Sequence, residues 1–113
     1  MIEGVKDAKG TIWVALFNSE EQFMKERFRS LKLTPQQGQV IGVFEDIPAG
    51  NYAITVMHDA NNNKELDKNA IGIPQEGFGF SNNAMGRFGP PDYKKVVFEF
   101  PKQKEIAIKL RYM

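Results

Sequence analysis

The chain has 113 residues, 42% hydrophobic and 26% charged, with a formal net charge of +1. That size and balance suit one globular domain spanning residues 1–113, and the near-zero, scattered charge excludes an electrostatic nucleic-acid or anionic-membrane binder. There is no cysteine, so thiol catalysis, disulfides and cysteine-ligated zinc are excluded, and no apolar run approaches the ~20 residues of a transmembrane helix.

Met1 to Asp7 lacks the apolar core of an export leader. Thr11-Ile12-Trp13-Val14-Ala15-Leu16-Phe17 is a continuous run of β-branched and aromatic residues, which predicts a central strand covered on both faces. Ser19 and Gln22 have capping-box spacing, and Glu20 and Glu21 suit the positive end of a helix dipole. Phe23, Arg27 and Phe28 then predict a short helix of about two turns ending near Ser30.

Residues 39–45 predict a second strand, with Val40 and Phe44 on one side and Ile41 and Val43 on the other. Asp46-Ile47-Pro48-Ala49-Gly50 predicts a turn, in which proline presets φ and Gly50 permits a positive one. Residues 51–58 predict a third strand with Tyr52, Ile54, Val56 and His58 on one face. The last two strands are predicted at about 95–100 and 105–112. In the final one Ile106, Ile108, Leu110 and Tyr112 face inward, and Glu105, Lys109 and Arg111 outward. One covered face and one wet face argue for antiparallel sheets, and there is no βαβ rhythm.

Between these strands, residues 59 to about 94 show little periodicity. Phe78, Phe80, Phe88 and Tyr93 argue against disorder. Half of the ten glycines lie here too, namely Gly72, Gly77, Gly79, Gly86 and Gly89. This composition predicts an ordered loop layer over the end of a sandwich, with one short strand near Gly77–Phe80.

The segment opens His58-Asp-Ala-Asn-Asn-Asn-Lys-Glu-Leu-Asp-Lys-Asn69. Asp59, Asn61, Asn63 and Asp67 fall at positions 1, 3, 5 and 9 of a calcium loop, and Glu65 stands at position 7, where a backbone carbonyl ligates. The pattern departs from an EF-hand at Lys64, where glycine is usual, and at Ala70, where a bidentate glutamate is usual. Water or a distant residue would have to complete the shell, with Glu76 and the side-chain oxygens of Asn82 or Asn83 as candidates. With two charged ligands at most, affinity would be weak, on the order of 10⁻⁵–10⁻³ M. The alternative is an Asx-rich turn whose side chains bond their own backbone.

His58 is the sole histidine. It is either a general base beside Asp59 or Glu76, or a strand-end histidine bonded within the fold. No Ser-His-Asp spacing, phosphate-binding glycine loop or HExxH motif is present. Phe78 and Phe80, with His58, Glu76 and Asn82, are candidates to meet a sugar or peptide ligand, although packing is the commoner role of such aromatics.

Three stretches carry a family resemblance: Phe44-Glu-Asp-Ile-Pro-Ala-Gly-Asn-Tyr-Ala53, then His58-Asp59 through Asp67, then Gly72-Ile-Pro-Gln-Glu-Gly-Phe-Gly-Phe-Ser-Asn82 with Phe88-Gly-Pro-Pro91. Together they resemble the bacterial DUF2141 family, whose function is unknown, over about Gly10 to Tyr112. The family loop has the form Asp-x-Asn-x-Asn-Gly-x-x-Asp, and Lys64 replaces its glycine. Phe-x-x-Ile-Pro-x-Gly-x-Tyr is also similar to the turn and strand of prealbumin-like and carboxypeptidase regulatory-like sandwiches. The resemblance implies an export signal cleaved from the mature protein, hence a periplasmic or secreted location, and it transfers no catalytic residue.

The expected protein is an all-β, antiparallel, immunoglobulin-like or prealbumin-like β-sandwich of about seven strands with one short helix. Its expected role is that of an exported, non-enzymatic binding or accessory module for an unidentified protein, peptide or carbohydrate, with Ca²⁺ ordering the loop layer. A hydrolase-like enzyme using His58 with Glu76 or Asp59, and a purely structural partner-docking domain, are the alternatives.

Overall fold

The computed structural model describes residues 1–6, 8, 10–59, 77–84 and 91–112. The described strands form two sheets. The larger has the order β3(Arg29–Leu33), β2(Thr11–Phe17), β5(Gly50–Asp59), β6(Gly77–Phe80). The smaller has the order β4(Gly38–Val40), β1(Ile2–Val5), β8(Ile108–Lys109). The short helix α1(Tyr93–Val96) leads into β7(Phe98–Phe100), which pairs with the start of β5 through Gly50↔Phe100 and Tyr52↔Phe98.

The strong apolar run 11–17 becomes the expected central strand. It pairs antiparallel with β3 through Val14↔Leu31 and with β5 through Val14↔Val56. The core lies between the two layers. Ile12, Val14 and Leu16 of β2 and Tyr52, Ile54 and Val56 of β5 meet Ile2 and Val5 of β1 and Ile108 and Leu110 near β8. The predicted inward face of the third strand holds, since Tyr52, Ile54, Val56 and His58 are all buried. The last segment keeps its alternation, with Ile108 and Leu110 buried and Glu105, Lys109 and Arg111 exposed, but of the strand predicted at about 105–112 only Ile108–Lys109 forms one.

The opposite face of the larger sheet carries a second, smaller core of Phe17, Ala53, Phe80 and Val96. Phe23 and Tyr93 pack against it, and Phe23 meets Phe17 edge-on at 5.5 Å. Its covering makes β2 buried on both sides, as its lack of alternation predicts.

Four expectations are corrected. First, the helix predicted to run to Ser30 is one capped turn. Ser19 Oγ accepts the Gln22 N–H at 3.3 Å and the Glu26 N–H reaches the Gln22 carbonyl at 2.9 Å. Met24 then takes a positive φ of 62°, which an α-helix does not accommodate. The Phe28 N–H is drawn to the Leu16 carbonyl at 2.7 Å, and the chain enters β3 instead. The short helix of the fold is α1, in a segment predicted as strand.

Second, only 38–40 of the predicted 39–45 strand is paired. Ile41 to Glu45 keeps a strand's in–out alternation without a partner strand, and Ile41 and Val43 stand 70% and 65% exposed. Third, β1 and β8 are parallel (Ile2↔Ile108, Glu3↔Lys109), so the smaller sheet is mixed. Fourth, the positive φ in the 46–50 turn belongs to Asp46, at 56°, and Gly50 opens β5.

Candidate functional site

Two regions of the described chain could carry function: the end of β5, where the calcium loop begins, and a cavity between the sheets at the other end of the sandwich.

His58 and Asp59 close β5, with Ile12 and Thr11 opposite them on β2. Both are sealed, at 1% and 0% exposure. His58 Nδ1 lies 2.6 Å from the Tyr112 hydroxyl, and the two rings meet edge-on at 5.8 Å. The same hydroxyl accepts the Lys6 N–H at 3.0 Å. His58 thus ties β5 to the two chain-terminal segments, in the manner of a buried polar group that is satisfied within the fold. A general base needs a proton within reach in a substrate-accessible pose, and this ring is enclosed.

β6 seals this end because of its Gly-Phe-Gly-Phe order. Alternate side chains face opposite ways, so Gly77 and Gly79 face the smaller layer while Phe78 and Phe80 face the second core. The approach is too close for anything but glycine. A Cβ on Gly77 would lie 2.6 Å from the Tyr112 ring, and one on Gly79 would lie 2.7 Å from Ile108 and 3.1 Å from the Lys109 carbonyl oxygen. Phe78 exchanges both backbone hydrogen bonds with Arg111, at 3.0 and 2.9 Å, which stitches the two sheets together. Phe80 is buried in the second core and Phe78 half-buried beside it, with their rings 6.1 Å apart.

Ser81-Asn82-Asn83 follows at once as a single 3₁₀ turn. Ser81 is fully buried. Its Oγ accepts the Ile54 N–H at 3.0 Å and donates to the Val96 carbonyl at 2.5 Å. Asn82 adopts a positive φ of 62° and donates its amide to the carbonyls of Lys95 and Val97, at 3.2 and 2.9 Å. Asn83 Oδ1 accepts the Lys109 N–H at 2.9 Å. Three consecutive polar residues therefore fasten β5, α1 and β8 to one another. Of the sequence candidates, His58, Phe80 and Asn82 are engaged in holding the fold.

Asn61, Asn63, Glu65, Asp67 and Glu76 lie outside the described residues. Among the described residues no three histidine or acidic side chains gather as a metal site. Of the predicted calcium-loop ligands Asp59 alone is among the described residues, and it is fully buried. A carboxylate taken out of water requires hydrogen-bond or cationic partners.

Tyr93, packed on the second core, titrates above its ordinary value of 10.0. Burial withholds water from the phenolate, and Glu20 adds like charge.

The second region is a cavity of about 600 Å³ between the layers. Val14, Leu16, Ile54 and Val56 form one deep wall, and Ile2 and Ile108 the other. The mouth is bounded by the unpaired strap Ile41–Ile47 and by Gln103–Ala107. Gly42 carries the strap tight against β3, since a Cβ there would lie 2.9 Å from Leu33. Tyr52, the one hydroxyl on the wall, donates to the Pro48 carbonyl at 2.5 Å.

Facing sheets normally interdigitate without voids larger than a water. Ligand pockets of 300–1,000 Å³ with mostly apolar walls have this size and character. Sequence reasoning passed over this cavity, although residues 39–45 held a hint of it. Apolar residues on both faces of an edge segment leave one face uncovered.

The chain belongs to the DUF2141 family. The family model, described as an uncharacterized protein conserved in bacteria, matches residues 1–109. The match includes β1, which the sequence resemblance from Gly10 onward did not reach. No curated protein and no solved structure matches the chain.

Proposed function

We propose that this DUF2141 chain is a non-catalytic binding module that works outside the bacterial cytoplasm, with a weak Ca²⁺ loop rooted at Asp59. The observation that carries this reading is the sealing of the β5 end. The sole histidine and its neighbouring carboxylate are 1% and 0% exposed, which supports a structural use of the pair over acid–base chemistry on a substrate. A buried Asp59 also supports the cation, because position 1 of the loop would present its carboxylate from a rigid strand end. Asn61, Asn63, Glu65 and Asp67 would supply the remaining oxygens. The affinity expected of a loop with so few charged ligands, on the order of 10⁻⁵–10⁻³ M, suits an extracellular or periplasmic setting better than cytosol.

The test is thermal unfolding in calcium and in chelator. Calcium at about fifty times its dissociation constant stabilises a folded site by about 2 kcal/mol, a shift of several degrees for a chain this short. Asp59→Asn should abolish the calcium-dependent part. Identical melting in calcium and chelator removes the cation from this reading.

A further inference from the structure

We infer that the cavity between the sheets is a binding site for a single-chain acyl amphiphile, with the hydrocarbon inside and an anionic head at the mouth beside Lys104. This deepens the binding-module reading and rests on it, but it does not depend on calcium.

The shape of the chemistry decides the ligand class. The deep walls are branched aliphatic side chains: Val14, Leu16, Ile54 and Val56 against Ile2 and Ile108. They offer no hydrogen bond to a polar guest. Tyr52, the hydroxyl on the wall, already gives its proton to the Pro48 carbonyl. A sugar or a polar peptide would leave its own groups unpaired there, which is costly, whereas a hydrocarbon loses only its contact with water. Among the described lining residues the charged and amide groups stand at the rim: Gln103, Lys104, Glu105 and the Met1 ammonium, which donates to the Ile106 carbonyl at 2.6 Å. Lys104 supplies the positive charge for a carboxylate and Gln103 an amide donor.

The way in is apolar too. Ile41 and Val43 of the strap are 70% and 65% exposed at the mouth, so a hydrocarbon meets apolar surface before it enters. The strap makes no strand pairing, so its displacement would break no sheet ladder and would have to release only the packing of Phe44 and Ile47 on the core. The backs of two wall residues are already fastened, Ile54 through its N–H to Ser81 and Ile108 through its neighbour Lys109 to Asn83, so the deep walls are held in place while the cavity fills.

The experiment titrates the protein with laurate and, separately, with dodecanol, both below their aggregation concentrations. Calorimetry and methyl NMR are the readouts. Expected are one saturable laurate site per chain, shifts centred on the methyls of Val14, Ile54 and Val56, and laurate favoured over dodecanol by about threefold, the scale of an exposed charge pair. Lys104→Gln should reduce that preference, with any remainder carried by the Met1 ammonium. Ile106→Trp, which fills the mouth from a half-buried position, should weaken laurate by about tenfold, equivalent to leaving two chain methylenes in water. Absence of saturable laurate binding, methyl shifts lying elsewhere, or equal binding of laurate and dodecanol overturns the proposal. The NMR map is read on the unaltered protein, so it stands even where the tryptophan variant does not fold. Thermal unfolding in calcium and in chelator, run on laurate-free samples because calcium precipitates laurate, reads the cation loop separately: a calcium shift without laurate binding overturns this site and leaves the calcium loop standing.

Discussion

The two ends of this sandwich are built on opposite principles. At the β5–β6 end, polar side chains do the joining. Tyr112 links His58 to Lys6, and Ser81, Asn82 and Asn83 connect three separate elements. Two glycines admit close approach, and the candidate acid–base pair is sealed inside. At the other end the layers leave about 600 Å³ of space with aliphatic walls, bordered at its mouth by Gln103–Ala107 and by a strap without strand pairing. The contrast shows where a ligand can go. Chemistry-bearing residues are locked into the scaffold at one end, and the accommodating surface at the other carries no chemistry beyond its shape and its rim.

The comparison breaks most decisively at Ser81. Its hydroxyl satisfies a buried N–H and a buried carbonyl at once. Ser81→Ala orphans both, and leaving each such group unpaired costs about 1–3 kcal/mol. The expected loss is about 2–4 kcal/mol in urea unfolding, with an unchanged slope. A loss below 1 kcal/mol would mean that the fastening is ornamental and that the two ends are alike.

Gly79→Ala tests the close approach. The added methyl meets Ile108 at 2.7 Å and a backbone oxygen at 3.1 Å. Ile108 can yield by rotating, but the backbone oxygen cannot. Overpacking of this kind costs about 1–3 kcal/mol, so a clear drop in the denaturation midpoint is expected. A neutral result would show that β6 has room to move, and the β5–β6 end would then be looser than its geometry implies.

How much of this was legible in the sequence divides along the same line. Long, regular signals survived. The run 11–17 is the central strand, 51–58 is its partner with the inward face assigned correctly, and the family resemblance at His58 to Pro91 holds. Short or interrupted signals did not. β1 was hidden because Gly4, at a φ of 72°, sits in a bulge between Glu3 and Val5. Buried Ile2 and Val5 are therefore three apart and break the period of two that marks a strand. β3 was hidden because Ser19 and Gln22 advertise a helix start, and the start is real. Met24 ends it by a backbone choice that no side-chain pattern encodes. At the candidate site, sequence found the right residues around His58 and Asn82 but not what they touch. Tyr112 lies 54 positions from His58, and only the fold brings it there. The cavity depends on which of two apolar faces the 39–45 segment leaves unpaired, and that is decided by the end of pairing at Val40.

The smallest expected effect lies on the strap, and it sharpens the contrast because so little should happen. Ile41 and Val43 are the most exposed of the large hydrophobic residues described. Replacing each by serine removes almost no buried area, and surface changes of this kind usually stay within about 0.5 kcal/mol. Ile41→Ser with Val43→Ser should therefore leave the urea midpoint close to that of the parent protein. Phe44 and Ile47, half-buried on the same strap, pack against the main core, so Phe44→Ala is the internal control and should cost several times more. If the double serine change instead destabilises as much as Phe44→Ala, the outward side chains are pinned against other parts of the chain. The strap would then be as firmly held as the Ser81 end, and the cavity would have no yielding side through which a ligand could enter.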